Sequence, residues 1–409
     1  MAAIALLKVS SSGYDVSNEG RAVMVMPVRV PVRPELLDWA VDRIGWDEAE
    51  AASRFPRLAD WRDADPAPTF KQLEGFARAA RVPLGYLFLA EPPVEQMPIP
   101  DFRTVANAGV QRPSPDLLDT IYECQGRQEW YRDFAQSQGD SPLPFVGSVT
   151  ESDSVVEVAN TIRESVRFGL ADRSKFPNWE DARRRLIDEI EDLGVLVMIS
   201  GYVGGNTHRT LDPQEFRGFT LSDPLAPLIF VNGADSKAAQ IFTLIHELAH
   251  VWAGHTGLSD ANISDTNGSA REVWANRVAA EVLLPLSVVE SEYSGSVDVP
   301  ELQRLARRYK VSTLVVLGRV RDAGLISWEL YLQRFAEERA RAQEILKARQ
   351  ATPGGNWHYS QPLKISRTFA RAVITDAMEG RTLFRDAYAL LGTSRHETFQ
   401  TLAETLGVA

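Results

Sequence analysis

The feature that most constrains this chain is the run Thr243-Leu244-Ile245-His246-Glu247-Leu248-Ala249-His250-Val251-Trp252. Its H-E-x-x-H spacing sets His246 and His250 four residues apart. On an α-helix, positions i and i+4 stand one above the other on one face, so two imidazoles can aim at one point. Glu247 borders that face, where its carboxylate can hold a metal-bound water without ligating the metal. Ile241, Phe242, Leu244, Ile245, Leu248, Ala249, Val251 and Trp252 are apolar nearly all round the helix. A surface helix would be amphipathic. The segment therefore reads as a buried helix whose polar stripe is the His/Glu motif.

A hydrolytic zinc site usually takes a third protein ligand and keeps one position open for water. The stretch Glu272-Val273-Trp274-Ala275-Asn276 supplies a candidate, because Glu272 and Asn276 are again i and i+4. Glu272 is the first choice of third ligand. Asn276 is placed to fix a histidine ring by accepting its other N–H. Glu281 lies more than two turns beyond Glu272 and is a weaker candidate. With Zn²⁺ as cofactor, the set implies metal-activated water, Glu247 as general base, and proton delivery to the leaving amine. The sequence leaves the oxyanion donor open. His208, in a loop containing Gly204-Gly205, is one candidate. His255 is another, although it reads better as a surface residue beyond the helix. His358 and His396 read as exposed and unrelated.

The motifs F-T-L-x-H-E-L-A-H and E-x-x-A-N-x-x-A-A-E-x-L-L-P resemble the ImmA/IrrE zinc metallopeptidases, as do Phe216-Arg217-Gly218-Phe219 and Pro227-Leu228-Ile229-Phe230-Val231-Asn232 upstream. The resemblance covers about residues 150–330. It implies a gluzincin-like site with His246, His250 and Glu272 as ligands and Glu247 as the catalytic glutamate. It also implies a role in bacterial or phage regulation, typically by cleaving a repressor or antitoxin.

At 409 residues the chain is too long for one ordinary core. A hydrophobic fraction of 44% with 24% charged residues fits a soluble globular protein. The single cysteine, Cys124, excludes an intrachain disulfide and fits a reducing cytoplasm. A net charge of −11 argues against strong nonspecific affinity for nucleic acid or anionic membranes. No apolar run approaches the roughly 20 residues of a membrane helix, and the short apolar opening lacks a basic leader.

Residues 1–26 read as an uninformative arm. Residues 27–90 read as a small helical domain: Pro34 opens a helix stopped by Gly45, Asp47 caps a second, Arg54–Trp61 forms a third, and Thr69 caps a fourth. This layout, with its tail P-T-x-K-Q-L-x-x-x-A-R-A-x-x-V-P-L-G-Y-L-F, resembles the Xre-type helix-turn-helix. That resemblance implies a reading helix near 56–63, presenting Arg57, Trp61 and Arg62 to operator DNA. The charge is poor for the role, with nine basic residues against ten acidic ones across the domain, including Asp60 and Asp63 on that helix. Docking of a partner, or homodimerisation, is the competing use.

Residues 91–114 read as a proline-rich linker. At its end, Asp101-Phe102-Arg103-Thr104 reads as a strap packed along the next domain, or else as part of a substrate channel or an autoinhibitory segment. Helices are expected at 115–137, 155–168 and 179–193. Strands are expected at 194–199, 216–221 and 228–232, lying against the H-E-x-x-H helix and forming a substrate cleft. Residues 325–331 read as a last strand or extended segment. A charged helix from Phe335 to Gln350, a break at 352–356 and further helical stripes complete the chain.

The fold class that follows is α+β and mostly helical. A helix-turn-helix domain (27–90) precedes a zinc peptidase domain with a small mixed sheet (115–334), and a helical carboxy-terminal domain (335–409) follows. The expected function is a cytoplasmic zinc endopeptidase cleaving a regulatory protein, a repressor or antitoxin. The alternative is a transcriptional regulator or antitoxin of a toxin–antitoxin pair, whose peptidase-like domain mainly binds a protein partner.

Overall fold

The computed structural model describes residues 28–102, 113–259, 269–350 and 364–408. The arm at 1–26, Arg103 and Thr104, the break at 352–356 and His358 lie outside them. The chain divides into two compact units between Val94 and Glu95.

The first unit is helical: α1 (Pro34–Ile44), α2 (Glu48–Arg54), α3 (Leu58–Arg62) and α4 (Phe70–Ala79). Its boundaries follow local chemistry. Gly45, at φ 76°, ends α1 in the left-handed conformation that glycine adopts without steric cost. The Asp47 side chain accepts from the Glu50 N–H at the start of α2. Thr69 and Gln72 form a reciprocal capping box on α4. Leu36, Leu37, Leu73 and Phe76 form the core.

Trp61, expected to be exposed, is buried at 3% exposure. Its ring meets Phe76 edge-on at 6.1 Å and lies 6.0 Å from Phe55. The indole is the largest apolar surface on a five-residue helix, so it turns into the core rather than toward a ligand. Arg62 pairs with Asp38 and Glu48, at 2.7 Å each, and Arg57 with Asp60 at 3.3 Å.

The second unit opens with α5 (Pro115–Gln138), α6 (Val155–Ser165), α7 (Leu170–Arg173) and α8 (Trp179–Asp192). Then come β1 (Leu196–Ser200), β2 (Gly218–Leu221), β3 (Leu228–Asn232), α9 (Lys237–Trp252) and β4 (Gly257–Ser259). They are followed by α10 (Ala270–Leu283), α11 (Leu286–Glu292), α12 (Val299–Tyr309), α13 (Thr313–Asp322) and α14 (Trp328–Gln350). Three carboxy-terminal helices end the unit: α15 (Arg367–Met378), α16 (Phe384–Leu390) and α17 (His396–Leu406). Among the described residues no helix is long and apolar enough to cross a membrane.

The strands form one mixed sheet in the order β1-β3-β2-β4. β1 and β3 run parallel; the other neighbours are antiparallel. Side chains alternate between faces along a strand, and both faces are covered. Val197, Ile199, Ile229 and Val231 share a core with α8, α9 and α10. Leu196, Met198, Phe219, Phe230 and Leu258 share another with Leu117 and Ile121 of α5 and Phe369 and Val373 of α15. The carboxy-terminal helices, expected to stand as a domain of their own, thus cover the back of the sheet.

The extended segment expected at 325–331 is instead the start of α14. Trp328, Tyr331 and Phe335 recur at helical spacing, with ring centroids 5.3 and 5.5 Å apart along the series. A window cut at 331 hides that period. β4 was not anticipated.

Candidate metal centre

α9 carries H-E-x-x-H across the front of the sheet, with its N-terminus capped by Ser236, whose side chain accepts from the Ala239 N–H. Its buried flanks, Ile241, Leu244, Ile245, Leu248 and Val251, join the front core and fix its rotation. His246, Glu247 and His250 are then buried to 1% exposure or less. α10 packs alongside α9 and presents Glu272 from its first turn. There the Ser269 hydroxyl accepts from the Glu272 N–H.

The structure brings His246, His250 and Glu272 together. His250 Nε2 lies 3.1 Å from His246 Nε2 and 3.1 Å from Glu272 Oε1. His246 Nε2 is 3.3 Å from Glu272 Oε2. Three groups rich in lone pairs at such separations repel unless a proton or a cation lies among them. The separations fit a cation. Ligand bonds of about 2.0–2.2 Å in a tetrahedron set donors about 3.3–3.6 Å apart, slightly wider than the separations here. Among the described residues these three form the group able to hold a metal ion.

The electrostatics call for a positive charge among the three groups, a proton or a cation. Burial lowers the His250 pKa to about 4, leaving its ring neutral with a free lone pair. Burial also works against a charge on His246, but Glu272 and then Glu247 outweigh it and raise its pKa. For Glu272 burial works against the charged form, yet the two histidines hold its carboxyl far below the usual range. Burial pushes Glu247 up to about 8; a divalent cation beside it would act in the opposite direction.

Around these donors stand groups that orient them. Asn276 lies one turn beyond Glu272, on the side of His246, whose charged form it favours. Glu247 is held from the sheet. Thr220 Oγ1 donates to Glu247 Oε2 at 2.8 Å, and Ser259 Oγ donates to the same oxygen at 3.3 Å. Gly218 leaves room for the other oxygen, since a Cβ there would stand 2.7 Å from Glu247 Oε1. Period-two alternation brings Gly218 and Thr220 of β2 and Ser259 of β4 to this face.

His255 does not stand apart at the surface. Its Nδ1 is 3.5 Å from His250 Nδ1, and its Nε2 is 3.3 Å from Glu151 Oε1. This chain, Glu151 to His255 to His250, can keep the His250 proton on Nδ1 and its lone pair on Nε2. Spacing gave no signal for it, because Glu151 comes from the distant loop before α6. His208 is exposed in the loop after β1, its N–H donating to Asn206. His396 bonds Tyr388 at 2.7 Å. Glu281 pairs with buried Arg319 instead of joining the donors. Arg57, Trp61 and Arg62 belong to the first unit.

Residues 190–321 match the family model described as the IrrE N-terminal-like domain, Peptidase_M78. The chain carries a metallopeptidase-like domain of the IrrE type. The match spans 132 of 409 residues, running from the end of α8 to α13, and contains both histidines, Glu247 and Glu272. A second model, described as a domain of unknown function, matches residues 365–405, the α15–α17 region. No curated protein matches the chain. Glu151, which reaches the IrrE-like centre through His255, and the helices behind the sheet lie outside the matched span.

Proposed function

We propose that the protein is a zinc-dependent endopeptidase that cleaves a regulatory protein, with His246, His250 and Glu272 as zinc ligands and Glu247 as general base. The observation that carries this reading is the convergence of two ring nitrogens and a carboxylate at 3.1–3.3 Å. It occurs inside an apolar core, beside a glutamate that needs no place among the ligands. A bound zinc ion supplies an activated water and polarises the peptide carbonyl.

The remaining chemistry belongs to the chain. Neutral His250 and ionised Glu272 offer the donor forms a cation requires. Asn276 and the His255–Glu151 pair steady the two rings. Glu247 accepts the proton of the attacking water through the oxygen not bonded to Thr220 and Ser259, then passes it to the leaving amine. Closure of the site by the front core keeps bulk water from competing. The first unit serves to recruit a partner, operator DNA or the protein to be cut.

Elemental analysis of purified, metal-replete protein should give about one zinc per chain. Glu247→Gln should keep that zinc and the fold, yet abolish hydrolysis of a fluorescence-quenched casein. Metal-replete protein without zinc would end the reading; cleavage by Glu247→Gln would remove the base assignment.

A further inference from the structure

In the order β1-β3-β2-β4, β4, whose Ser259 reaches Glu247 of the candidate centre, is an edge strand. An edge exposes backbone donors and acceptors that an extended peptide can take up. The free side of β4 is already taken by the chain itself. Leu258 N–H donates to Pro100 O at 2.8 Å, and Phe102 N–H donates to Leu258 O at 3.0 Å. Asp101 and Leu258 are partners in a parallel bridge.

Phe102 then covers the centre. Its ring centroid lies 5.8 Å from that of His250 and 6.4 Å from that of His255, and the Arg271 guanidinium sits over it at 5.6 Å. The ring rests on Gly257, where an added Cβ would come within 2.1 Å of it. A side chain at 257 would therefore exclude the aromatic. Pro98 and Pro100 have no N–H, so the segment cannot extend its ladder along the edge. Among the described residues its backbone attachment to β4 is the two hydrogen bonds at Leu258. Ile99 is anchored in the core behind the sheet, so the end free to exchange is the one carrying Phe102.

We propose that residues 98–102 are a built-in occupant of the substrate's place: an autoinhibitory strap whose backbone takes the β4 register and whose Phe102 takes the side-chain position over His250. The site accordingly accepts an extended peptide with an aromatic residue at that position, and it opens when the strap leaves β4. The inference rests on the peptidase reading for its catalytic consequence, but the occupancy of β4 can be tested separately.

The full-length chain, Phe102→Ala and the milder Phe102→Leu are loaded with zinc and compared on fluorescence-quenched casein. Phe102→Ala should hydrolyse it about tenfold faster than the parent, Phe102→Leu by a smaller factor in the same direction. The synthetic peptide of residues 96–102, added in excess, should restore the slow rate to Phe102→Ala. Unchanged or lower rates in both zinc-loaded variants, or no inhibition by the peptide, would overturn the strap. If no chain hydrolyses casein, the peptidase reading fails by itself, and anisotropy of the fluorescein-labelled 96–102 peptide decides occupancy. Binding to Phe102→Ala at least about tenfold tighter than to the parent supports the strap. Equal binding, or none, rejects it.

Discussion

Thr220 does for Glu247 what no residue near it in sequence can do. One oxygen of the carboxylate is tied to the sheet by the Thr220 and Ser259 hydroxyls, so the other is left to work. A hydrogen bond to a charged group contributes about 1.5–3 kcal/mol. Thr220→Val, nearly the same shape without the donor, should therefore lower kcat on quenched casein about ten- to a hundredfold. Zinc content and KM should change little. Thr220→Ser, which keeps the hydroxyl, should recover most of the rate; failure to do so would assign Thr220 a packing role. Gly218→Ala should be worse. Its Cβ would stand 2.7 Å from both Glu247 Oε1 and Thr243 Cγ2 and 2.9 Å from the Phe230 carbonyl oxygen. Overpacking of this kind costs about 1–3 kcal/mol, and a lowered melting temperature together with lost activity would register it. Residues linked by helical spacing were legible beforehand: His246 with His250, and Glu272 with Asn276. Residues linked by the sheet or by a distant loop, Thr220, Ser259 and Glu151, were not, because nothing local ties them to Glu247 or His250; the sequence marks His255 only as an oxyanion-donor candidate or a surface residue.

At the scale of elements, the position of Glu272 depends on how α10 is anchored at its far end. There the helix leaves carbonyls without intrahelical donors, and three arginines from other elements supply them. Arg163 donates to Glu281 O and Val282 O, Arg173 to Val282 O, Leu283 O and Tyr309 O, and Arg319 to Leu284 O. Arg173 is fully buried, and although burial lowers its pKa to about 9, it remains charged at neutral pH. Arg173→Leu would strand the Leu283 and Tyr309 carbonyls. It should destabilise the fold by about 2–5 kcal/mol, measurable by urea denaturation; a loss below about 0.5 kcal/mol would mean that water satisfies those groups. Helices α5, α8, α9 and α10 could be placed from apolar spacing and caps, since their hydrogen bonds are local. β4 could not. Gly257-Leu258-Ser259 is too short to show a period, and it is a strand only because β2 lies on one side and residues 100–102 on the other. Trp61 shows the converse limit: its place on a helix was legible, but the direction it faces was set by Phe55 and Phe76.

At the scale of the whole molecule, all three donors, the base and the strap lie in the second unit, between Glu95 and Ala409. The first unit holds a separate aromatic core built on Trp61 and Phe76. A ligand that binds the folded form stabilises the cooperative unit containing its site, by about 4 kcal/mol when its free concentration is a thousand times its dissociation constant. Calorimetry of the full-length chain with zinc and with a chelator should therefore show the transition of the second unit moving down by several degrees on chelation. The transition of the first unit should stay where it was. His246→Ala should melt at the chelated temperature whether or not zinc is present, because a donor pair cannot replace the triad. If chelation shifted neither transition, or shifted His246→Ala as much as the parent, the three side chains would be a polar core cluster and no metal centre. The measurement needs no substrate, so it tests the centre independently of the peptidase reading.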